Sequence, residues 1–80
     1  MPTVLRWHGY RFYFFSNERN EPPHVHVDKS GRSAKFWLNP VRLARNDGYP
    51  DRELNRLHGK TVECELALLK AWNEHPSHKA

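Results

Sequence analysis

Residues Glu21 to Val27 read EPPHVHV, and Asp28 follows directly. In a strand, residues i and i+2 point to the same side with side chains roughly 7 Å apart, so His24, His26 and Asp28 in one row can surround a metal ion. A zinc site shows further ligands in a recognisable motif, however, and Cys64 has no CxxC partner. The expectation is therefore no metal, with His24, His26 and Asp28 as weak ligand candidates. The same two imidazoles suit acid and base work on RNA. One takes a proton from a ribose 2′-hydroxyl and the other returns one to the leaving oxygen, while Arg6, Arg11 or Lys35 stabilises charge on the phosphate. On that reading His24 and His26 are the catalytic pair of a ribonuclease that needs neither metal nor cofactor. Whether the chain is an enzyme stays open at this stage.

Positioning these groups falls to strands. Pro22 and Pro23 cannot donate to a ladder, so the run NERNEPP is a loop or an edge and a strand begins at His24. His24 to Lys29 and Arg32 to Leu38 flank Ser30-Gly31 as a hairpin whose register sets His24 opposite Trp37 and His26 opposite Lys35. Val25, Val27, Ala34, Phe36 and Leu38 then form the core side; His24, His26, Asp28, Lys35 and Trp37 form the other. Upstream, Thr3 to Trp7 and Tyr10 to Ser16 flank His8-Gly9, which pairs Trp7 with Tyr10, Arg6 with Arg11, Leu5 with Phe12 and Val4 with Tyr13. Like charges at Arg6 and Arg11 cost some tenths of a kcal/mol unless solvent or an anion relieves them. If both hairpins join in one sheet, Arg6, Arg11, Tyr13, Lys35 and Trp37 combine cations with exposed aromatic faces, a binding surface on which bases can stack.

The VRLAR stretch after Asn39-Pro40 reads as a fifth strand with Val41 and Leu43 facing one way, closed by Asn46-Asp47-Gly48. From about residue 50 to 74 the period becomes helical, with Leu54, Leu57, Val62, Leu66, Leu69 and Trp72 as the apolar stripe and Gly59 as the place where the helix kinks or divides. Cys64 reads as a small buried hydrophobe, Pro76 ends the helix, and SHKA is a frayed tail. Arg42, Arg45, Arg52 and Arg56 read as a solvated rim. The fold class is thus α+β: one domain over residues 1–80, with a two-layer, mostly antiparallel sheet of four to five strands (residues 3–45) packed by a C-terminal helix.

At 80 residues a chain of this size buries only about 60% of the surface its unfolded form exposes. Three Trp, four Phe and three Tyr must supply most of the apolar area, which argues against a deep cavity unless a second chain provides a wall. A lone Cys fits a reducing compartment. No run approaches the roughly 18 to 20 apolar residues of a membrane span, and MPTVLRWHGYRFYFF lacks the pattern of a signal peptide. The expected location is the cytoplasm. A net charge of +4 suggests an anionic partner.

The opening MPTVLR, the run GYRFYFFSNE, PPHVHV, AKFWL with the following Pro40, and a REL-containing helix ending in Trp72 resemble a family of small bacterial proteins known as domain of unknown function 4160. The resemblance spans roughly residues 1 to 74, and SNERNEPPHVHV is its most specific part, although its loop is one or two residues longer here and Pro50 stands where a Ser cap is expected. Members are commonly found beside a second small protein and described as toxin–antitoxin components. The resemblance implies a small protein that works through a neighbour chain, with chemistry or binding directed at nucleic acid. Joined to the thin core and exposed aromatics, it gives the expectation of a cytoplasmic member of a toxin–antitoxin-like pair acting through a partner chain, either a paired protein or itself as a homodimer. A ribonuclease-type toxin using His24 and His26, or a non-catalytic RNA- or DNA-binding protein, stands as the alternative, with no role at a membrane.

Overall fold

The computed structural model describes residues 3–15 and 20–74 of the chain. Within them five strands, β1 (Thr3–Trp7), β2 (Tyr10–Tyr13), β3 (His24–Lys29), β4 (Arg32–Leu38) and β5 (Val41–Asp47), precede two helices, α1 (Asp51–Glu63) and α2 (Glu65–Glu74). The strands form one antiparallel sheet in sequence order, and both helices pack on one of its faces, so the α+β two-layer reading holds. Two tight turns fix the register. His8-Gly9 and Ser30-Gly31 both have positive φ at each residue (51° and 84°; 51° and 81°), the twist that lets a two-residue loop join antiparallel strands.

The β3–β4 register is as read from the sequence, including His24 opposite Trp37 and His26 opposite Lys35. In the first hairpin, Trp7 faces Tyr10, Arg6 faces Arg11 and Leu5 faces Phe12, but Thr3 rather than Val4 faces Tyr13, because a bulge interrupts β1 between Thr3 and Leu5. The two hairpins join through β2 and β3: Arg11 faces Asp28, Phe12 faces Val27 and Tyr13 faces His26. Of the expected reach of β2 to Ser16, Phe14 and Phe15 have already left the strand and residue 16 lies outside the described residues, as do residues 17–19 of the NERNEPP loop and the tail.

Tyr10, Phe12, Phe14, Val25, Val27, Phe36 and Leu38 are buried on the helix side of the sheet and meet Leu57, Leu68 and Trp72. Each fully buried large apolar side chain contributes about 1.5–3 kcal/mol. Pro50 occupies the cap position of α1 without a side-chain cap, and Asp51 and Glu53 in the first turn favour the helix dipole instead. Glu53 also accepts hydrogen bonds from the Tyr10 hydroxyl and from Arg32 Nη1 (3.2 Å), tying α1 to the sheet.

The helical region departs from expectation in two ways. Gly59 lies inside α1, and the division falls at Cys64, whose backbone (φ −100°, ψ 11°) leaves helical geometry while its N–H bonds back to Lys60 and Val62. Cys64 itself is half-buried against the core. Val62 and Leu66, assigned to the buried stripe, are 47% and 83% exposed. The step of five from Leu57 to Val62 turns the side chain about 140° away at 3.6 residues per turn. Thr61, one turn from Leu57, takes the buried place by donating its hydroxyl to Leu57 O (2.8 Å).

Candidate functional site

The side of the sheet away from the helices carries the residues singled out in the sequence. Strand alternation puts Arg6, Arg11, Tyr13, His26, Asp28, Lys35 and Trp37 there, and β5 adds Arg42 opposite Trp37 and Arg45 opposite Lys35. An open concavity of about 780 Å³ lies on this face with Arg11, Tyr13, His26, Asp28, Lys35, Trp37 and Arg45 in its lining, while Arg6 and Arg42 share the face without lining it.

Its floor is an aromatic row. The Tyr13 and His26 rings stack at 5.5 Å, Phe15 meets His26 edge-on at 4.4 Å, and the Arg11 guanidinium lies 4.5 Å from the Tyr13 ring centre. Tyr13 donates its hydroxyl to Asp28 Oδ2 (3.0 Å), and Arg11 Nε donates to Thr3 Oγ1 (2.8 Å). Lys35 pairs with Glu21 and lies 4.7 Å over the half-buried Trp37 ring. Arg45 pairs with Asp47 at 2.9 Å. Counting described side chains on this face, the cations Arg6, Arg11, Lys35, Arg42 and Arg45 outnumber the acids Glu21, Asp28 and Asp47.

Two expected surface residues are not on the surface. Tyr13 is 5% exposed, since His26 and Arg11 enclose its ring. His24 is fully buried although its register position is on the outer row. The strand begins beside the end of α2, so Trp72 closes over the His24 ring at 4.9 Å, with Trp37 at 5.7 Å and His26 at 5.2 Å around it. A carbonyl oxygen only accepts, so His24 Nδ1 carries a proton and donates it to Pro22 O (2.8 Å). His24 and His26 are thus neighbours with unequal access: only His26 borders the concavity.

Asp28, the third member of the candidate metal row, is held by Tyr13, and its Oδ1 is buried with no hydrogen-bond partner among the described residues. Among the described residues no set of three or more His, Cys, Asp or Glu side chains is arranged to hold a metal ion. No helix of the described residues is long and apolar enough to cross a membrane.

A family model described as Domain of unknown function (DUF4160) matches residues 9–73, from the first hairpin turn to the last turn of α2. The chain belongs to this family. No curated protein and no solved structure matches it. Within this DUF4160 domain, sequence reading missed Tyr49. Its buried hydroxyl lies 3.2 Å from both Val27 O and Arg32 O, and burial, with the charge of Asp28 next, pushes it above the ordinary tyrosine range. Asn46 holds that loop by accepting from Tyr49 N and donating to Tyr49 O, a signal present in the Asn46-Asp47-Gly48 turn. Tyr10 is likewise raised, by burial first and by its hydrogen bond to Glu53 second.

Proposed function

We propose that this chain is a binding protein that works through a partner chain, one member of a bacterial, cytoplasmic toxin–antitoxin-like pair, and receives an acidic segment of that partner on the open sheet face. One observation carries the reading: apart from Trp72 of α2 over His24, neither helix covers this face, and cations ring an aromatic floor on it. Aromatic and arginine side chains are the groups enriched where proteins meet. Arg6 and Arg11 stand directly opposite each other on the same face, and an acidic partner relieves their repulsion.

A second reading takes single-stranded RNA or DNA in the same place. The half-buried Trp37 ring beside Lys35 supports it, since a base can stack where a phosphate is also held. The ribonuclease alternative rests on His24 and His26, and it is favoured less because the buried His24 ring has its Nδ1 proton committed to Pro22 O. The experiment is co-expression with the protein encoded beside this one. Co-purification that is lost in Lys35→Gln supports the first reading. Retention of RNA, left intact and released steeply by salt, supports the second.

A further inference from the structure

β5 is an edge of the sheet: among the described residues it pairs with β4 on one side only, and all seven of its residues but Val41 are exposed. From this strand we infer that two copies of the chain join edge to edge through β5 about a two-fold axis, forming a continuous ten-stranded sheet. The partner is a second copy because the strand is complementary to itself in charge and in facing.

The facing depends on a bulge. β4 and β5 pair Lys35 with Arg45 and then Phe36 with Leu43, which leaves Ala44 as the additional residue. Arg42, Arg45 and Asp47 therefore share the outer face, opposite Trp37, Lys35 and Ser33, while Leu43 and Asn46 share the helix face, opposite Phe36 and Ala34. Run β5 antiparallel to its copy with the axis between Ala44 and Arg45. Arg42 then meets Asp47 of the copy on the outer face, and Leu43 meets Asn46 of the copy on the helix face. Symmetry makes each contact twice, as an isologous interface requires. Asp47, already paired with Arg45 of its own chain, then lies between two arginines. Moving the register by one residue sets outer against inner side chains, and moving it by two residues in one direction brings Arg42 against Arg45, a like-charge pair.

The helix side of the same margin is open and carries exposed apolar side chains. A groove of about 320 Å³ between β5 and α1 is lined by apolar Phe36, Leu43 and Leu54 and by polar Asp51, Asn55 and His58, and Leu43 is 44% exposed. The exposed Val62 lies one helical turn beyond His58 on the same face. Edge pairing brings the two helix layers to the seam, where Leu43 and Val62 leave water.

Sedimentation velocity of the intact chain over a range of concentrations tests this, with circular dichroism to verify folding of each variant. The expected result is a concentration-dependent dimer. Arg42→Asp and Asp47→Arg each raise the dissociation constant by about tenfold or more, and the double reversal R42D/D47R restores it to within about threefold. A monomer at every concentration, a dimer indifferent to the single reversals, or a double variant no better than the singles overturns the proposal.

Discussion

His24 and Trp37 face each other across β3 and β4 with ring centroids 5.7 Å apart, yet His24 is fully buried while Trp37 is half-buried on the open face. The pair marks where the outer surface of the sheet turns into core: on one side Trp72 of α2 covers the imidazole, on the other no described element covers the sheet.

That position makes His24 a packing residue. His24→Ala removes a ring held by Trp37 and Trp72 and the hydrogen bond to Pro22 O, and is expected to cost about 2–4 kcal/mol in urea unfolding. His26→Ala forfeits mainly its contacts with Tyr13 and Phe15, and is expected to cost about 0.5–1.5 kcal/mol. Equal losses for the two variants would contradict the difference in burial.

The two faces of α1 and α2 predict opposite outcomes for chemically similar substitutions. Leu57→Ala, within the core, is expected to lower stability by about 2–5 kcal/mol, whereas Leu66→Ala at an 83% exposed site should change it by less than about 0.5 kcal/mol. Denaturant midpoints at equal slope measure both.

Alkaline pH should destabilise the fold through Tyr10 and Tyr49. Both hydroxyls hold their protons above the ordinary value of 10.0, so between pH 10 and the folded-state values the unfolded chain ionises and the folded one does not. Their contribution is therefore fully present below about pH 10 and is lost as pH rises through the folded values, at up to about 1.4 kcal/mol per pH unit for each group. Tyr49→Phe is expected to cost about 1 kcal/mol near neutral pH and to make the alkaline decline shallower; an unchanged pH slope would contradict the role of its burial.

Arg6 separates stability from binding. It is exposed and opposite Arg11, so Arg6→Glu exchanges a repulsive cross-strand pair for an attractive one and should raise stability by some tenths of a kcal/mol. The same change removes a cation from the open face and should weaken capture of an acidic partner. Thermal unfolding and a binding titration on one preparation read both effects.

Much of this arrangement was legible in the sequence because strand period and two-residue turns leave little freedom. His8-Gly9 and Ser30-Gly31 set the pairs from Trp7–Tyr10 to Leu5–Phe12 and from Val27–Ala34 to His24–Trp37, and with them the gathering of Arg6, Arg11, His26, Lys35 and Trp37 on one face. Local pattern does not carry burial by distant elements. Nothing near His24 announces that Trp72, 48 positions later, covers it, and nothing near Tyr13 shows that Asp28 and His26 hold it down. In the helices, hydrophobicity alone selected Val62 and Leu66. The position next to Val62, Thr61, satisfies its hydroxyl within its own helix and goes inside instead. The division at Cys64 was missed for a similar reason, since Gly59 is the weaker helix former but sits in open space on α1.

The measurement that bears most directly on the open sheet face is the affinity of the purified chain for the protein encoded beside it, titrated with the unaltered chain, with Arg6→Glu and with Lys35→Gln, each at low and high salt. Docking of an acidic segment on this face predicts a salt-sensitive complex whose dissociation constant rises about tenfold in each variant while the fold persists. An affinity unchanged by both substitutions, or no affinity for that protein, would contradict it.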